Sequence, residues 1–248
     1  MFEFLRTARG VIRSHGIYRG WQGYARSRAM HALYRRFVKR GDLVFEIGAH
    51  VGDRVAAFRW IGAKVVAVEP QPVIANMLGM FYARDWNVVV ERKAIGRRTG
   101  DVRLMINTDN PTVSTASNAF IHAAQDAPGW QGQQWDKSIR VPMTTLDALI
   151  EEHGVPAFIK IDVEGFEEEA LMGLTQPVAA LSFEFTTIQR DVARACIDRC
   201  VALGLTLFNA AIGESQKLDD WRSAEAIGRW LDGLPHEANS GDIYALRP

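Results

Sequence analysis

The sequence predicts an α/β fold in which helices cover both faces of a mostly parallel sheet. Three observations predict it: short buried-strand patterns recur along the chain, helical segments separate them, and glycine or proline stands at most boundaries. At 248 residues the chain is long enough for one large domain of this kind and too short for two comfortable ones.

The elements alternate in order from residue 30 onward. The segment 30–38 has apolar residues at helical spacing, and Gly41 separates it from the first apolar strand run, 43–47. Pro72 suits the first turn of a helix, and Thr145 has the position of a helix N-cap. The predicted strands are 43–47, 64–68, 87–91, 158–162, 180–185, 205–210 and 242–246, and the predicted helices are 30–38, 52–61, 72–84, 145–152, 166–173 and 191–203.

Two segments depart from this alternation. Residues from about 94 to 142 form a predicted insertion of antiparallel or irregular structure, with strands at 102–106 and 112–117. Residues 213–240 form a predicted loop-and-helix excursion between the last two strands. The domain that carries both segments is predicted to span 41–248.

The formal charge is balanced over the chain but unevenly distributed. Residues 1–40 hold ten Lys and Arg and one acidic residue, Glu3, which leaves 19 basic and 28 acidic residues in the rest. This segment is a predicted basic helical extension. It either contacts an anionic partner, such as a phospholipid surface at the membrane periphery, or packs on the acidic domain. We expect no nucleic-acid partner.

The two cysteines, Cys196 and Cys200, lie four residues apart in a helical pattern. Two buried thiols are expected there, because there is no second pair that could complete a metal site. No apolar run is long enough for a membrane span and no signal-peptide pattern is present, so the cytoplasm is the expected location.

The turn after the first strand is the most informative stretch. Glu46, Gly48, Ala49 and Gly52 surround a passage from strand to helix. There the glycines let a ligand approach, and the helix N-terminus offers N–H groups and a positive dipole end to a carboxylate. Glu46 can accept hydrogen bonds from an ammonium group. The turn therefore suits the methionine end of S-adenosylmethionine, although an ordinary strand–turn–helix also uses such glycines.

A second carboxylate, Glu69, ends the next strand. At that place an acidic side chain bonds ribose hydroxyls in nucleotide-binding α/β folds, while the alternative is a surface glutamate before a proline. A nicotinamide-binding fold needs G-x-G-x-x-G, and the row from Gly48 to Gly52 lacks the middle glycine. Glu46 would also face a diphosphate unfavourably. Both facts favour a cationic ligand without phosphate, so S-adenosylmethionine is the predicted cofactor.

Lys160, Asp162 and Glu164 alternate at the end of the fourth predicted strand, so their side chains share one side of it. A buried strand tolerates charges only near its mouth or in pairs, which places Asp162 and Glu164 at the predicted pocket. Either could accept a proton from a substrate hydroxyl if burial raises its pKa, and Lys160 could pair with either. These three are the candidate catalytic residues, unless a Lys–Asp pair merely terminates the strand.

These motifs, in this order, resemble those of the FkbM-like family of S-adenosylmethionine-dependent methyltransferases. The resemblance covers roughly residues 41–247, and the combination is specific although each piece alone is not. The matching pieces are 46–52, 68–70, 94–96, 145–147, 160–165 and Glu184.

The resemblance implies the class I methyltransferase fold, a Rossmann-like seven-stranded sheet whose last strand is antiparallel. It also implies methylation of a hydroxyl on a small-molecule acceptor, such as a secondary metabolite, or on a sugar or glycan. Carried over by position, the cofactor-binding residues are Glu46, Gly48, Gly52 and Glu69, with Ala94 near the adenine and with Asp162 and Glu164 at the reacting end.

The sequence departs from the family pattern at two positions. The family usually has aspartate where Glu46 stands, which keeps the carboxylate, and asparagine where His50 stands. His50 could contact the cofactor carboxylate, serve as a base or cap the turn, and we favour the last. His50 and Ala49 complete the set of cofactor-binding candidates.

Other chemistry is weighed against these assignments. Three carboxylates at strand ends could hold Mg²⁺, but we expect no metal, and the scattered histidines lack zinc-ligand spacing. Polar residues of the insertion could line an acceptor site or form a plain strand; they are Thr112, Ser114, Thr115 and Asn118. The remaining function classes are a non-catalytic binding protein on a methyltransferase fold and a nicotinamide-dependent oxidoreductase.

Overall fold

The computed structural model describes residues 21–248, with side chains from residue 25 onward. The first twenty residues of the predicted basic extension lie outside the described residues. Among the helices of the described part, none is long and apolar enough to cross a membrane.

The helices and strands follow the predicted alternation. The helices are α1 Trp21–Tyr34, α2 Asp53–Ile61, α3 Pro72–Phe81, α4 Asn118–Ala124, α5 Leu146–His153, α6 Glu167–Met172, α7 Arg190–Ala202 and α8 Ala224–Asp232. The strands are β1 Leu43–Ile47, β2 Lys64–Val68, β3 Val88–Glu91, β4 Ala94–Ile95, β5 Gly100–Ile106, β6 Lys137–Thr144, β7 Phe158–Ile161, β8 Ala180–Thr186, β9 Leu207–Ile212 and β10 Ser240–Leu246.

The main sheet has seven strands in the order β3-β2-β1-β7-β8-β10-β9. Its neighbours are parallel except for β10, which runs antiparallel to both β8 and β9. The predicted α/β fold with an antiparallel last strand is thereby confirmed. The parallel strands bring their carboxyl ends to one edge of the sheet, which is where the candidate residues follow them.

Helices cover both faces of this sheet, as predicted. The side chains of β1 and β7 are almost wholly buried, because a parallel sheet is covered on both sides. One face packs against α5, α6, α7 and α8, and the other packs against α1 and α2. Cys196 and Cys200 are free, buried thiols in the first of these cores.

The described end of the basic extension belongs to the core of the domain. Met30, Leu33 and Tyr34 of α1 are almost fully buried, and the Tyr34 ring lies 4.3 Å from that of Phe58 on α2. The apolar spacing that predicted this helix therefore reflects packing on the acidic domain.

The region from residue 94 to 144 forms a separate three-stranded sheet in the order β4-β6-β5. The prediction missed β6, in which a proline interrupts a polar and apolar alternation. The predicted strand at 112–117 is wrong: a 3-10 turn, Pro111–Val113, and the N-cap of α4, Ser117, occupy its two ends, and one residue between them, Thr115, bridges to β5. Proline removes a backbone donor there, and the Ser117 hydroxyl caps α4 by accepting the N–H of Phe120.

Candidate active site

A cavity opens at the carboxyl ends of β1, β2, β7 and β8, where ligands bind in open α/β sheets. The insertion supplies one wall, and α1 and α2 supply another. Most of the predicted site residues line it, namely Glu46, Gly48, Ala49, His50, Glu69, Ala94, Asp162 and Glu164. Gly52 and Lys160 lie outside the lining.

Gly48 joins the two sides of the cavity. Its φ is +84°, and a Cβ at this position would overlap the backbone carbonyl oxygen of Asp162. The sequence analysis attributed this glycine to ligand access. The structure adds a stronger reason, because only glycine lets the turn after β1 press against the exit of β7. The N–H groups of Gly48 and Ala49 both donate to the Val68 carbonyl at 2.9 Å.

Gly52 acts at the back of the same turn. It precedes α2 with a φ of +89°, and a Cβ would lie 2.7 Å from Leu78 Cδ1 on α3. Its predicted contribution to cofactor binding is therefore indirect, since it lets the start of α2 pack closely on α3 and so positions the turn.

Glu69 is held by the turn that it faces. The side chain is 2% exposed, its Oε2 accepts the His50 N–H at 2.9 Å, and its Oε1 accepts the Gln71 N–H at 2.8 Å. Burial raises the pKa of Glu69 to about 7, although both backbone hydrogen bonds oppose the shift. A carboxylate oxygen accepts more than one hydrogen bond, so Glu69 retains the capacity to bind ribose hydroxyls. His50 contacts Glu69 through its backbone, which has a φ of +44°.

Glu46 is the most deeply buried carboxylate that lines the cavity. It is 1% exposed and lies in register with Lys160 on the neighbouring strand β7. Burial raises the pKa of Glu46 to about 8, although the positive charges of Arg54 and Lys160 lower it. Its Oε2 accepts no hydrogen bond from the residues that the structure describes. A buried acceptor of this kind suits a ligand ammonium group.

Three carboxylates gather at the ends of β7 and β8, and Asp162, Glu164 and Glu184 are called the acidic cluster here. One oxygen of each lies within 4.8 Å of the others. Burial raises the pKa of Glu164 and of Glu184 well above the ordinary value, and the charge of Asp162 adds to both shifts. Carboxylates this close do not all ionise together, so the cluster shares at least one proton at neutral pH.

Asp162 is the ionised member of the acidic cluster. Lys160 Nζ lies 3.3 Å from Asp162 Oδ2 and 2.8 Å from Asp242 Oδ1, and Arg54 Nη2 lies 3.3 Å from Asp162 Oδ2. Burial raises the pKa of Asp162, but Lys160 and Arg54 more than offset it and hold that pKa below its ordinary value. Lys160 is fully buried, so it acts on the site through Asp162.

The insertion fixes the backbone of Glu164. This residue has a φ of +55°, and its carbonyl accepts the Thr115 hydroxyl at 2.6 Å. A Cβ on the next residue, Gly165, would lie 2.7 Å from Phe120 of α4. Thr112 and Ser114 line the cavity as candidates for acceptor contacts. Thr115 instead supports Glu164 from below, and Asn118 is exposed.

Sequence reasoning missed several charged residues that the fold brings to this site, namely Arg26, Arg54, Glu214 and Asp242. One signal was present. Arg54 stands in the first turn of α2, where the helix dipole disfavours a cation, so carboxylate partners could have been expected. The others come from distant parts of the chain and carry no local pattern.

The donor set fits S-adenosylmethionine. A buried acceptor at Glu46 suits an ammonium group, Glu69 suits a ribose, and the turn between them has no middle glycine for a diphosphate. This sheet topology with this site defines a class I, Rossmann-like methyltransferase that depends on S-adenosylmethionine.

Residues 46–223 match the model of the methyltransferase FkbM domain. The chain therefore belongs to the FkbM methyltransferase family, which confirms the resemblance that the motifs indicated. A search of curated protein sequences found no significant match.

Several solved structures are similar to this chain at low identity. A precorrin-6y C5,15-methyltransferase from Geobacter metallireducens is 10% identical with a TM-score of 0.44, and 90% of this chain and 87% of that chain are covered. A TehB-like SAM-dependent methyltransferase from Corynebacterium glutamicum is 12% identical with a TM-score of 0.45, covering 89% and 88%. Fibrillarin from Aeropyrum pernix, in complex with S-adenosyl-L-methionine, is 12% identical with a TM-score of 0.44, covering 85% and 68%.

Proposed function

We propose that this methyltransferase acts on oxygen and transfers a methyl group to a hydroxyl of a small-molecule, sugar or glycan acceptor. The observation that supports this most is the acidic cluster beside the cofactor-binding turn. A hydroxyl must lose its proton when it is methylated, and a carboxylate of raised pKa is a suitable proton acceptor.

The proposed division of labour follows the two ends of the cavity. S-adenosylmethionine supplies an electrophilic methyl group on its sulfonium. Glu46 accepts hydrogen bonds from the ammonium group, Glu69 binds the ribose hydroxyls, and Ala94 lies in the apolar wall proposed for the adenine. Alignment of the acceptor oxygen and exclusion of water supply most of the rate enhancement.

Asp162 and Glu164 take different parts in the proposed reaction. Asp162 stays ionised beside Lys160 and Arg54 and orients the acceptor hydroxyl. The bound cofactor would supply the methyl group to the acceptor oxygen, and Glu164, after losing its own proton to solvent, would accept the hydroxyl proton. The raised pKa of Glu164 makes it the stronger base of the two. Lys160 is then a positioning residue, because it reaches the acceptor only through Asp162.

The surroundings of the site lead to two further proposals. Thr112 and Ser114 contact the acceptor through hydrogen bonds. The enzyme works without a metal, because Lys160 and Arg54 already neutralise the ionised carboxylate of Asp162.

The cytoplasm is the proposed location of the protein, and peripheral membrane contact is a proposed property of the basic extension, residues 1–40.

The test uses the purified full chain with isotopically labelled S-adenosylmethionine and a panel of glycans, sugars and hydroxylated metabolites. The proposal expects label in a methyl ether of one acceptor class. The Glu164→Gln variant, which keeps the shape but removes the base, should lose most of the transfer. Methylation of an amine and of no hydroxyl in a matched panel would refute oxygen as the target.

A further inference from the structure

Two arginines meet at one wall of the cavity and share a carboxylate partner. The Nη2 atom of Arg26 on α1 lies 2.9 Å from Glu214 Oε1, and the Nη2 atom of Arg54 on α2 lies 3.5 Å from the same oxygen. Glu214 belongs to the segment that follows β9. All three side chains line the cavity, so helices α1 and α2 present two guanidinium groups to one position.

Arg54 retains donor capacity at that position. Its Nη2 contacts the carboxylates of Asp162 and Glu214, while its buried Nε has no hydrogen-bond partner among the described residues. A guanidinium offers five N–H donors in a fork that matches a carboxylate. The start of α2 adds a positive dipole end beside it.

We propose that Arg26 and Arg54 bind the carboxylate of the cofactor's amino-acid end, and that Glu214 is an internal anion that occupies the arginines until the cofactor arrives. The proposal rests on the assignment of S-adenosylmethionine. The placement follows from the neighbours: Arg54 contacts Asp162, Asp162 contacts Lys160, and Lys160 lies in register with Glu46. The ammonium and carboxylate of one amino acid thus have adjacent partners of opposite charge.

Glu214 is suited to leave when another carboxylate binds. Its side chain is 47% exposed. The backbone before it is loosely packed, since a Cβ added at Gly213 would have no neighbouring atom within 4 Å. An anionic group of the acceptor is the rival occupant of the arginines.

The test is isothermal titration calorimetry of the full chain with two probes. S-adenosylhomocysteine carries the carboxylate, and S-adenosyl-3-thiopropylamine lacks it but keeps the amine. The variants Arg54→Gln and Arg26→Gln should each weaken S-adenosylhomocysteine binding by roughly tenfold to a hundredfold, the range expected for a charged hydrogen bond. Binding of the thiopropylamine should change by less than about threefold.

Two further variants sharpen the result. Glu214→Gln removes the internal anion and should tighten S-adenosylhomocysteine binding several-fold. Arg36→Gln, an exposed arginine next to α1, should change neither probe. Arg26 contacts Asp53 and Glu214, so its variant leaves the pair of Arg54 with Asp162 in place and remains informative if the Arg54 variant is misfolded.

The outcomes separate the proposal from the cofactor assignment. Equal losses for both probes would mean that the arginines only support the fold, and unchanged S-adenosylhomocysteine binding would assign them to the acceptor; either result overturns the proposal. Failure of the folded wild-type chain to bind S-adenosylhomocysteine would instead overturn the cofactor assignment.

Discussion

The two ends of the cavity hold their carboxylates by different means. At the β1–β2 end, Glu69 accepts backbone N–H groups from His50 and Gln71, which are close to it in the turn. At the β7–β8 end, Asp162 is held by the side chains of Lys160 and Arg54. The first end is built by local backbone geometry and the second by charges that only the folded chain brings together. In the proposed function, the first end is the site of the cofactor and the second is the site where a proton moves.

The contact between the two ends gives the largest expected effect. Gly48→Ala would drive a Cβ into the Asp162 carbonyl at a φ of +84°, and the unfolding free energy should fall by more than about 4 kcal/mol. Gly41 has a φ of +89° with open space, so Gly41→Ala should cost only about 1–2 kcal/mol. Urea denaturation of both variants measures the difference. Equal losses would show that the ends are not in backbone contact.

The ionic support of the β7–β8 end should come next. Lys160→Met leaves Asp162 and Asp242 without their shared buried cation and should cost about 3–5 kcal/mol of unfolding free energy. Lys64, an exposed lysine of the same sheet, provides the control, and Lys64→Met should stay within about 0.5 kcal/mol of wild type. A Lys160 variant as stable as the Lys64 variant would contradict the ion-pair network.

How far the sequence predicts each end follows from the same contrast. The strands, the turn after β1 and Glu69 were predictable, because apolar runs and glycines act over a few residues. Arg54, Asp242 and Glu214 were not, since their partners lie far along the chain. For Asp242, the register of β10 on β8 decides the contact with Lys160. The 3-10 turn at Pro111–Val113 and the helix cap at Ser117 likewise replaced the strand that was predicted across them.

Catalysis should depend on Glu164 at the β7–β8 end, whereas cofactor binding should not depend on this residue. Glu164→Gln should slow methyl transfer by about a hundredfold or more, the lower range for loss of a general base. Rapid-quench or steady-state assays with the identified acceptor measure it. A variant whose rate constant is unchanged would remove Glu164 from the proton path.

The β1–β2 end should give the smallest effect, a pH dependence of cofactor binding. Burial raises the pKa of Glu46 to about 8 and that of Glu69 to about 7, so the free protein holds protons that an ammonium or ribose ligand displaces. S-adenosylhomocysteine affinity should therefore rise between about pH 6 and pH 8, by up to roughly tenfold per pH unit for each proton released. Calorimetry in buffers of different ionisation enthalpy counts the protons.

The same groups act oppositely on the stability of the free protein. Because the folded chain binds more protons than the unfolded chain, their contribution is complete below the ordinary glutamate pKa and is lost as pH rises through the raised values. Glu46→Gln should reduce both pH dependences. An affinity that falls with rising pH across this range would show that the carboxylates bind the ligand while protonated.

The most direct test of the division between the two ends is a parallel calorimetric titration of S-adenosylhomocysteine into Glu69→Gln and Glu164→Gln. The first variant should bind at least about tenfold more weakly, since it loses charged hydrogen bonds to the ribose. The second should remain within about threefold of wild type. Equal losses, or a larger loss for Glu164→Gln, would contradict the assignment of the β1–β2 end to the cofactor and of the β7–β8 end to the acceptor.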